Sequence, residues 1–335
     1  MRIKYLDLLK IVACIGVITI HVAMQNVKNA LVTTTIYSTF NFYSSIARYA
    51  VPVFLMVSGV FMLDPKRDVS IKKIYTKYIP KILCCFIVWS FVYGLIYHDL
   101  SFDSFLKGNY HLWYLIMLIG IYIATPFLRG ITRDLRTTRY FIIVGIIFAF
   151  IIPNMFDILR LIPALDGFEK HLFQLNHRIY FGFGVCYPVY YLLGYYLHNI
   201  SISKVKEYIM YLLGIIGAAT TVVLSHVFTI SSLNVVEIFY DLSSFAILLE
   251  SIAVFIIFKT HLNKQVRDNK LIGKITKLTF GIYLIHPLIL DILPINTMSF
   301  NVLLSVPLIV IILFIISLMI SFVLNHIPIL KKWLV

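Results

Sequence analysis

Charged residues are scarce in this sequence. They make up 13% of its 335 residues, whereas 60% of the residues are hydrophobic, and the mean hydropathy is +0.91. Soluble globular proteins are about a quarter charged and about half apolar. So few charges do not suffice to cover a water-exposed surface, which excludes a soluble enzyme, a disordered chain and a collagen-like fibre. The composition predicts a polytopic membrane protein.

Cysteines are also few, and the sequence motifs of several enzyme classes are missing. The four cysteines all lie inside apolar runs and without the spacing of a zinc site, so we interpret them as packing residues rather than as a disulfide framework. The sequence contains no glycine-rich phosphate loop, no nucleophile elbow and no metalloprotease helix motif. We therefore expect no bound metal.

Long hydrophobic runs dominate the sequence instead. A transmembrane helix needs about 20 predominantly apolar residues. Ten segments meet this requirement and predict an all-α polytopic fold with one membrane-embedded domain covering residues 1–335. The predicted spans are residues 5–24, 42–63, 80–97, 111–128, 140–158, 179–198, 207–228, 239–258, 278–295 and 302–325.

The positive charges are distributed unevenly between the segments that join these spans. With a cytoplasmic N-terminus, 22 of the 29 lysines and arginines fall in inner segments, 5 fall in outer segments, and Lys10 and Arg48 lie within spans. By the positive-inside rule this bias predicts that both termini are cytoplasmic. It also accounts for the net charge of +14, because basic loops face anionic membrane lipids. Nucleic-acid binding is therefore not needed to explain the charge.

The first predicted span carries two ionisable residues, Lys10 and His21. Such groups are costly inside a membrane and are functional candidates by default. At 100° per residue, their separation of eleven residues places both on one face of the helix, about 16 Å apart along its axis. Each also has a structural alternative: Lys10 can extend to the inner headgroups, and His21 can hydrogen-bond a neighbouring helix at the interface.

The second predicted span carries Arg48 at nearly the same depth as His21, followed by Pro52. Proline lacks the N–H that would bond to the Arg48 carbonyl, so the helix is expected to kink there. A broken helix with an arginine is typical of a polar pocket at membrane depth; the alternative is an arginine that extends to the outer headgroups. Further along, Ser58-Gly59 allows another backbone to approach closely.

Further candidates lie in later spans. His111 precedes Trp113 and Tyr114, two residues that are typical of membrane-interface anchors but can also line a pocket. Glu250 lies near the middle of the eighth span and is expected to pair with a cation such as Lys10. His286 precedes Pro287 in the ninth span, where it is either a pocket residue or a packing residue.

Five segments carry a family resemblance. They are the pattern of a basic residue, ten residues and histidine at Lys10 and His21, the Arg48–Pro52–Ser58–Gly59 stretch, HLWYL at 111–115, YLLGYYL at 191–197 and FGIYLIHP at 280–287. Together they resemble the integral-membrane acyltransferase family 3. Many members carry two arginines three residues apart in the first inner loop. Here that loop reads KKIYTKYIPKIL, and Lys77 and Lys81 are the nearest substitutes.

The resemblance implies O-acylation, usually acetylation, of a hydroxyl on a cell-surface polysaccharide or its lipid-linked sugar precursor. Cytoplasmic acetyl-CoA is the implied donor, in the plasma membrane of a cell that is expected to be bacterial. On this hypothesis Lys10, Lys77, Lys81 and Ser58 bind the donor, and His21 acts as the general base. Arg48 either stabilises the oxyanion or orients the acceptor. The expected substrate pocket comprises His111, Trp113, Tyr114, His286 and Glu250.

Two other functions use the same residues. A transporter or flippase for a glycan or a small anion would use the intramembrane cations as a substrate path, although no strong inverted repeat supports it. A non-catalytic partner in polysaccharide assembly predicts that the substitution His21→Ala leaves function intact.

Overall fold

The computed structural model describes residues 2–27, 30–161, 186–265, 270–293 and 301–334, and these ranges contain helices and no strands. The all-α prediction is therefore confirmed. The thirteen described helices are α1 (Lys4–Val27), α2 (Thr35–Ser45), α3 (Ala50–Met62), α4 (Ile71–Ile96), α5 (Phe102–Lys107), α6 (Trp113–Ile131), α7 (Leu135–Arg160), α8 (Cys186–Asn199), α9 (Lys204–Ser232), α10 (Phe245–Gln265), α11 (Lys270–Ile292), α12 (Val302–His326) and α13 (Pro328–Trp333).

Nine segments of the described chain are long and apolar enough to cross a membrane, which confirms a polytopic membrane protein. Eight of these segments each contain one long helix, and the ninth contains both α2 and α3. The predicted span 179–198 is described only from Cys186 onwards. Its described part is the 14-residue helix α8, and residues 179–185 lie outside the described ranges.

The predicted span 42–63 is divided into two helices. Helix α2 ends at Ser45, residues 46–49 form a turn, and α3 begins at Ala50. Pro52 lies in the first turn of α3, where its missing N–H costs little. The predicted break is therefore confirmed, and it places Arg48 in the turn itself.

Two of the long helices widen one turn before a proline. In α4 the residues Ile74–Tyr78 form a π-turn before Pro80, and in α7 the residues Ile147–Ile151 form another before Pro153. A proline removes the N–H that would bond to the carbonyl four residues earlier. The wider π-turn accommodates this loss without ending the helix.

Helix α1 lies at the centre of the bundle. It packs against α2, α3, α10, α11 and α12, and most of its apolar side chains are fully buried. The end of the bundle where α1 and α11 begin and α6 ends is called the basic face, because Lys4, Arg129 and Lys270 lie there. The four cysteines are all free thiols, as predicted.

Candidate functional site

A cavity of about 810 Å³ runs through the bundle beside α1. We call it the central cavity. Its volume falls within the roughly 300–1,000 Å³ that is typical of small-molecule sites. Helices α1, α3, α4, α6 and α11 form its walls, and its polar or aromatic lining residues are Arg2, Asp7, Lys10, His21, Phe54, Ser58, Lys81, His111, Trp113, Tyr114, Tyr122, Thr276, Lys277, Thr279, Phe280 and Tyr283.

One face of α1 supplies both predicted residues of the first motif. Lys10 and His21 line the same cavity, together with Asp7 and Val17. The predicted common face is therefore confirmed, and the helical rise separates the two residues by about 16 Å. The cavity thus extends from a cation near the basic face to an imidazole deep in the bundle.

The end of the central cavity at the basic face is lined by cations from three helices and the chain start. Arg2, Lys10, Lys81 and Lys277 lie there, and the Arg2 guanidinium donates a hydrogen bond to the Asp7 carboxylate. Lys10 forms no ion pair with any described residue; its ammonium lies 4.9 Å from the centre of the Phe61 ring. Because four cations beside a single carboxylate attract anions, we name Arg2, Lys10, Lys81 and Lys277 the cationic mouth.

The opposite end of the cavity is built around three histidine rings. The ring centroids of His21 and His286 are 5.2 Å apart, and those of His111 and His286 are 6.1 Å apart. Tyr110 lies 5.1 Å from His21. His21 and His111 line the cavity, and His286 is fully buried behind them. His286 therefore belongs to the site, although it does not itself face the cavity.

Four further residues of the predicted site line the central cavity. Trp113 and Tyr114 do so from the start of α6, so the pocket alternative holds for both. Ser58 lines it from α3, one and two turns beyond Phe54 and Val51 on the same helix face. Lys81 lies in the cationic mouth, as expected for a donor-binding residue.

Arg48 lies in a polar pocket, as the broken helix predicts, but it does not line the cavity that contains His21, although its positive charge acts on that ring. The Arg48 guanidinium lies 4.3 Å from the centre of the Tyr240 ring, and its Nη2 donates to Ser44 Oγ at 2.8 Å. It lines a second pocket of about 550 Å³, which also includes Met24, Asp157, Glu237, Ile238, Tyr240, Asp241 and Ser243. The reason is the turn at residues 46–49: a continuous helix would keep Arg48 on the face of Val51 and Ser58, and the turn directs it away.

Two further expectations differ from the structure. Lys77 is exposed and does not line the central cavity, because it lies on the outward face of a π-turn that buries Ile74 against the bundle. Glu250 forms no ion pair with Lys10; it is 5% exposed, and its Oε2 has no hydrogen-bond partner in the described part of the chain. It does not line the central cavity either.

A family model described as an acyltransferase domain matches residues 3–326, nearly the whole chain. The chain belongs to acyltransferase family 3. The resemblance of the sequence motifs is thereby confirmed, and the protein is a membrane acyltransferase. No curated protein and no solved structure matches the chain.

Several residues of the acyltransferase site were not predicted from the sequence. Arg2 and Lys277 complete the cationic mouth. In the described ranges no cluster of three or more histidine, cysteine or acidic side chains is arranged to hold a metal ion. For Lys277 the sequence does contain a signal, because it precedes Phe280 by three residues and the two side chains are therefore neighbours on the surface of α11.

The sequence also did not indicate that Arg129 holds the loop after α3 in place near the cationic mouth. Arg129 at the end of α6 donates through Nη1 to the carbonyls of Met62 and Asp64, at 2.7 and 2.9 Å, and through Nη2 to that of Arg67, at 3.1 Å. The guanidinium of Arg67 lies 4.5 Å from the Phe61 ring, which Lys10 also contacts. Arg129 thus holds the loop that brings a further cation near Lys10.

Proposed function

We propose that this acyltransferase transfers an acetyl group from acetyl-CoA to a hydroxyl of a cell-surface polysaccharide or of its lipid-linked sugar precursor. The observation that carries the proposal is the central cavity, which joins the cationic mouth to His21. Membrane lipids surround the bundle, and the basic face lies in the cytoplasm of a bacterial plasma membrane, according to the positive-inside bias of the loops.

The shape and charge of the central cavity suit a coenzyme A thioester. Coenzyme A carries its phosphates at one end and its acyl group at the other, joined by a flexible arm. Arg2, Lys10, Lys81 and Lys277 are placed to bind the phosphates. The arm then extends along Val17 and Ser58, and the thioester comes to the level of His21. This arrangement explains why a lysine without a counter-ion lies inside a membrane helix.

His21 is the proposed general base. It lines the cavity and forms no hydrogen bond with a described residue, so a ring nitrogen is available to a substrate. The imidazole accepts the proton of the acceptor hydroxyl while the oxygen attacks the thioester carbonyl. The carbon–sulfur bond then breaks, and the coenzyme A thiolate takes up the proton from His21. Imidazole suits both transfers because its ordinary pKa lies close to neutral pH.

Of the two roles considered for Arg48, its position supports orientation of the acceptor and not stabilisation of the oxyanion. Oxyanion stabilisation requires contact with the reacting thioester, and Arg48 lies in a pocket that shares no lining residue with the central cavity. Orientation of the acceptor remains compatible with its position, since Met24 of the second pocket follows His21 by one turn of α1. We therefore assign Arg48 to the acceptor side.

The first experiment measures acetyl-CoA binding by thermal stabilisation of the purified protein in detergent. The wild type, Lys10→Ala and His21→Gln are compared, with plain coenzyme A as a second ligand. A ligand at a hundredfold excess over its Kd stabilises a folded protein by about 2.7 kcal/mol. We expect stabilisation of the wild type and His21→Gln, and a smaller stabilisation of Lys10→Ala at the same ligand concentration.

Transfer itself is measured with radiolabelled acetyl-CoA in membranes that contain the endogenous glycan. We expect His21→Gln to lose at least about a hundredfold in rate, the usual contribution of a general base, while the protein still folds and binds acetyl-CoA. Absence of binding by a folded wild type would favour the transporter instead. Full glycan modification by His21→Gln would favour a non-catalytic partner in polysaccharide assembly.

A further inference from the structure

One of the three histidine rings at the end of the central cavity opposite the cationic mouth carries an unmatched hydrogen-bond acceptor. His286 is fully buried, and its Nδ1 lies 3.0 Å from the Ile282 carbonyl oxygen. A carbonyl only accepts hydrogen bonds, so Nδ1 carries the ring proton. In the neutral ring, Nε2 therefore presents a lone pair. No described residue donates a hydrogen bond to it.

The helix around His286 explains this orientation. Pro287 follows it inside α11 and lacks the N–H that would bond to the Tyr283 carbonyl. The loosened turn allows the imidazole to bond back to its own helix. A buried lone pair without a donor is unfavourable, and nearly all such groups in folded proteins find a partner. The structure therefore calls for a donor to His286 Nε2.

Only three rings contact the His286 ring in the described part of the chain, and two of them have no proton to give it. The Tyr283 hydroxyl donates to the His111 carbonyl at 2.5 Å. His111 Nδ1 lies 3.2 Å from Asn109 Oδ1, an acceptor, so the proton of this neutral ring is also engaged. His21, the third ring, forms no hydrogen bond with a described residue and lies closest, at 5.2 Å between centroids.

We propose that His286 fixes the tautomer of His21, by accepting a hydrogen bond from one ring nitrogen of His21 and so leaving the other nitrogen as the basic lone pair. With a donor–acceptor distance of about 2.9 Å, such an N–H···N bond places two imidazole centroids about 5 Å apart. Rotation of the His21 ring about its Cβ–Cγ bond brings the two nitrogens into hydrogen-bonding position. The rotation costs little because this torsion has a broad energy minimum. His286 is thus a positioning residue, and the proposal rests on the proposed function of His21 as the base.

The same bond has a consequence during the reaction. When His21 accepts the hydroxyl proton it becomes an imidazolium, and its hydrogen bond to the neutral His286 becomes charge-assisted and stronger. When the thiolate takes the proton away, the original tautomer returns. His286 neither gains nor loses a proton in this cycle. It therefore supports the base without contacting either substrate.

The direct test is solid-state NMR of the ¹⁵N-histidine-labelled protein in lipid bilayers, with His21→Gln used to assign the His21 signals. We expect one tautomer of His21 and a through-bond ¹⁵N–¹⁵N coupling to His286. A mixture of His21 tautomers, or the absence of the coupling, in the wild type would overturn the proposal. This readout needs neither donor nor acceptor, so it is independent of whether acyl transfer is found.

Two variants separate positioning from packing. The amide oxygen of His286→Gln can accept the hydrogen bond, whereas His286→Leu fills the space without an acceptor. We expect His286→Leu to lower kcat about tenfold with an unchanged KM for acetyl-CoA, and to release a mixture of His21 tautomers. His286→Gln should restore most of kcat and the single tautomer. Equal kcat and one His21 tautomer in both variants would contradict a positioning role.

Discussion

Gly59 of α3 and Gly194 of α8 lie directly against each other's helix. A Cβ built on Gly59 would be 1.8 Å from the Tyr191 carbonyl oxygen, and a Cβ on Gly194 would be 1.9 Å from the Met56 carbonyl oxygen. These distances leave no room for any side chain on either residue. Membrane helices commonly use such small residues to approach closely. Ser58, which lines the central cavity, is adjacent to this contact.

We expect Gly59→Ala and Gly194→Ala each to destabilise the protein by about 1–3 kcal/mol, the usual cost of overpacking. The backbone atoms they would meet can yield only if the two helices separate. The measurement is the melting temperature in detergent. Gly130→Ala in α6 is the matched control, because a Cβ there meets no atom within 4 Å. A melting temperature of Gly59→Ala equal to that of Gly130→Ala would contradict the close packing.

Lys10 and Lys77 form a second matched pair, because only Lys10 lines the central cavity. We expect Lys10→Ala to weaken acetyl-CoA binding about tenfold or more, since a hydrogen bond to a charged group contributes about 1.5–3 kcal/mol. Lys77→Ala removes the same charge from an exposed position and should leave the Kd nearly unchanged. Thermal stabilisation over a range of acetyl-CoA concentrations gives both values. Equal losses in the two variants would indicate a general charge effect instead of a binding site.

Arg129 holds three carbonyls of the loop after α3 with one guanidinium. Lysine retains the charge but cannot reproduce this planar fork. We expect Arg129→Lys to lower the melting temperature and to weaken acetyl-CoA binding, because the loop carries Arg67 to the Phe61 ring beside Lys10. Arg133→Lys, at an exposed position four residues later, is the control. Wild-type stability in Arg129→Lys would show that the loop is held by other contacts.

Substitution of Arg48 is expected to lower the stability of the protein without changing its affinity for the acetyl-CoA donor. Arg48→Lys loses the bond to Ser44 Oγ and the stacking on Tyr240, so the turn between α2 and α3 is less well held and the melting temperature should fall. Ser44→Ala, which removes only the hydrogen bond, should have a smaller effect. Acetyl-CoA affinity should equal that of the wild type in both. A weaker donor affinity in Arg48→Lys would place Arg48 back in the central cavity.

The sequence predictions are correct where they depend on neighbouring residues in one helix, and they fail where they depend on contacts between helices. The common face of Lys10 and His21 depends only on the period of an uninterrupted helix, and it was correct. Arg48 shows the limit of that reasoning, since Pro52 correctly predicts a break but not the direction of the residue within it. Glu250 interacts electrostatically with the cation Arg48 and not with Lys10, because its partner depends on how α10 packs against the other helices, which no local pattern encodes.

The membrane class, the helical fold and the face shared by Lys10 and His21 follow from hydrophobicity and helical period, which are local properties of the chain. The central cavity cannot be derived from these local properties, because its walls come from residues far apart in the sequence. Arg2, Lys81 and Lys277 meet at one mouth, and His21, His111 and His286 meet at the other end, only when the helices pack. Only the tertiary structure places Arg48 and His21 in different pockets and His286 behind the proposed base.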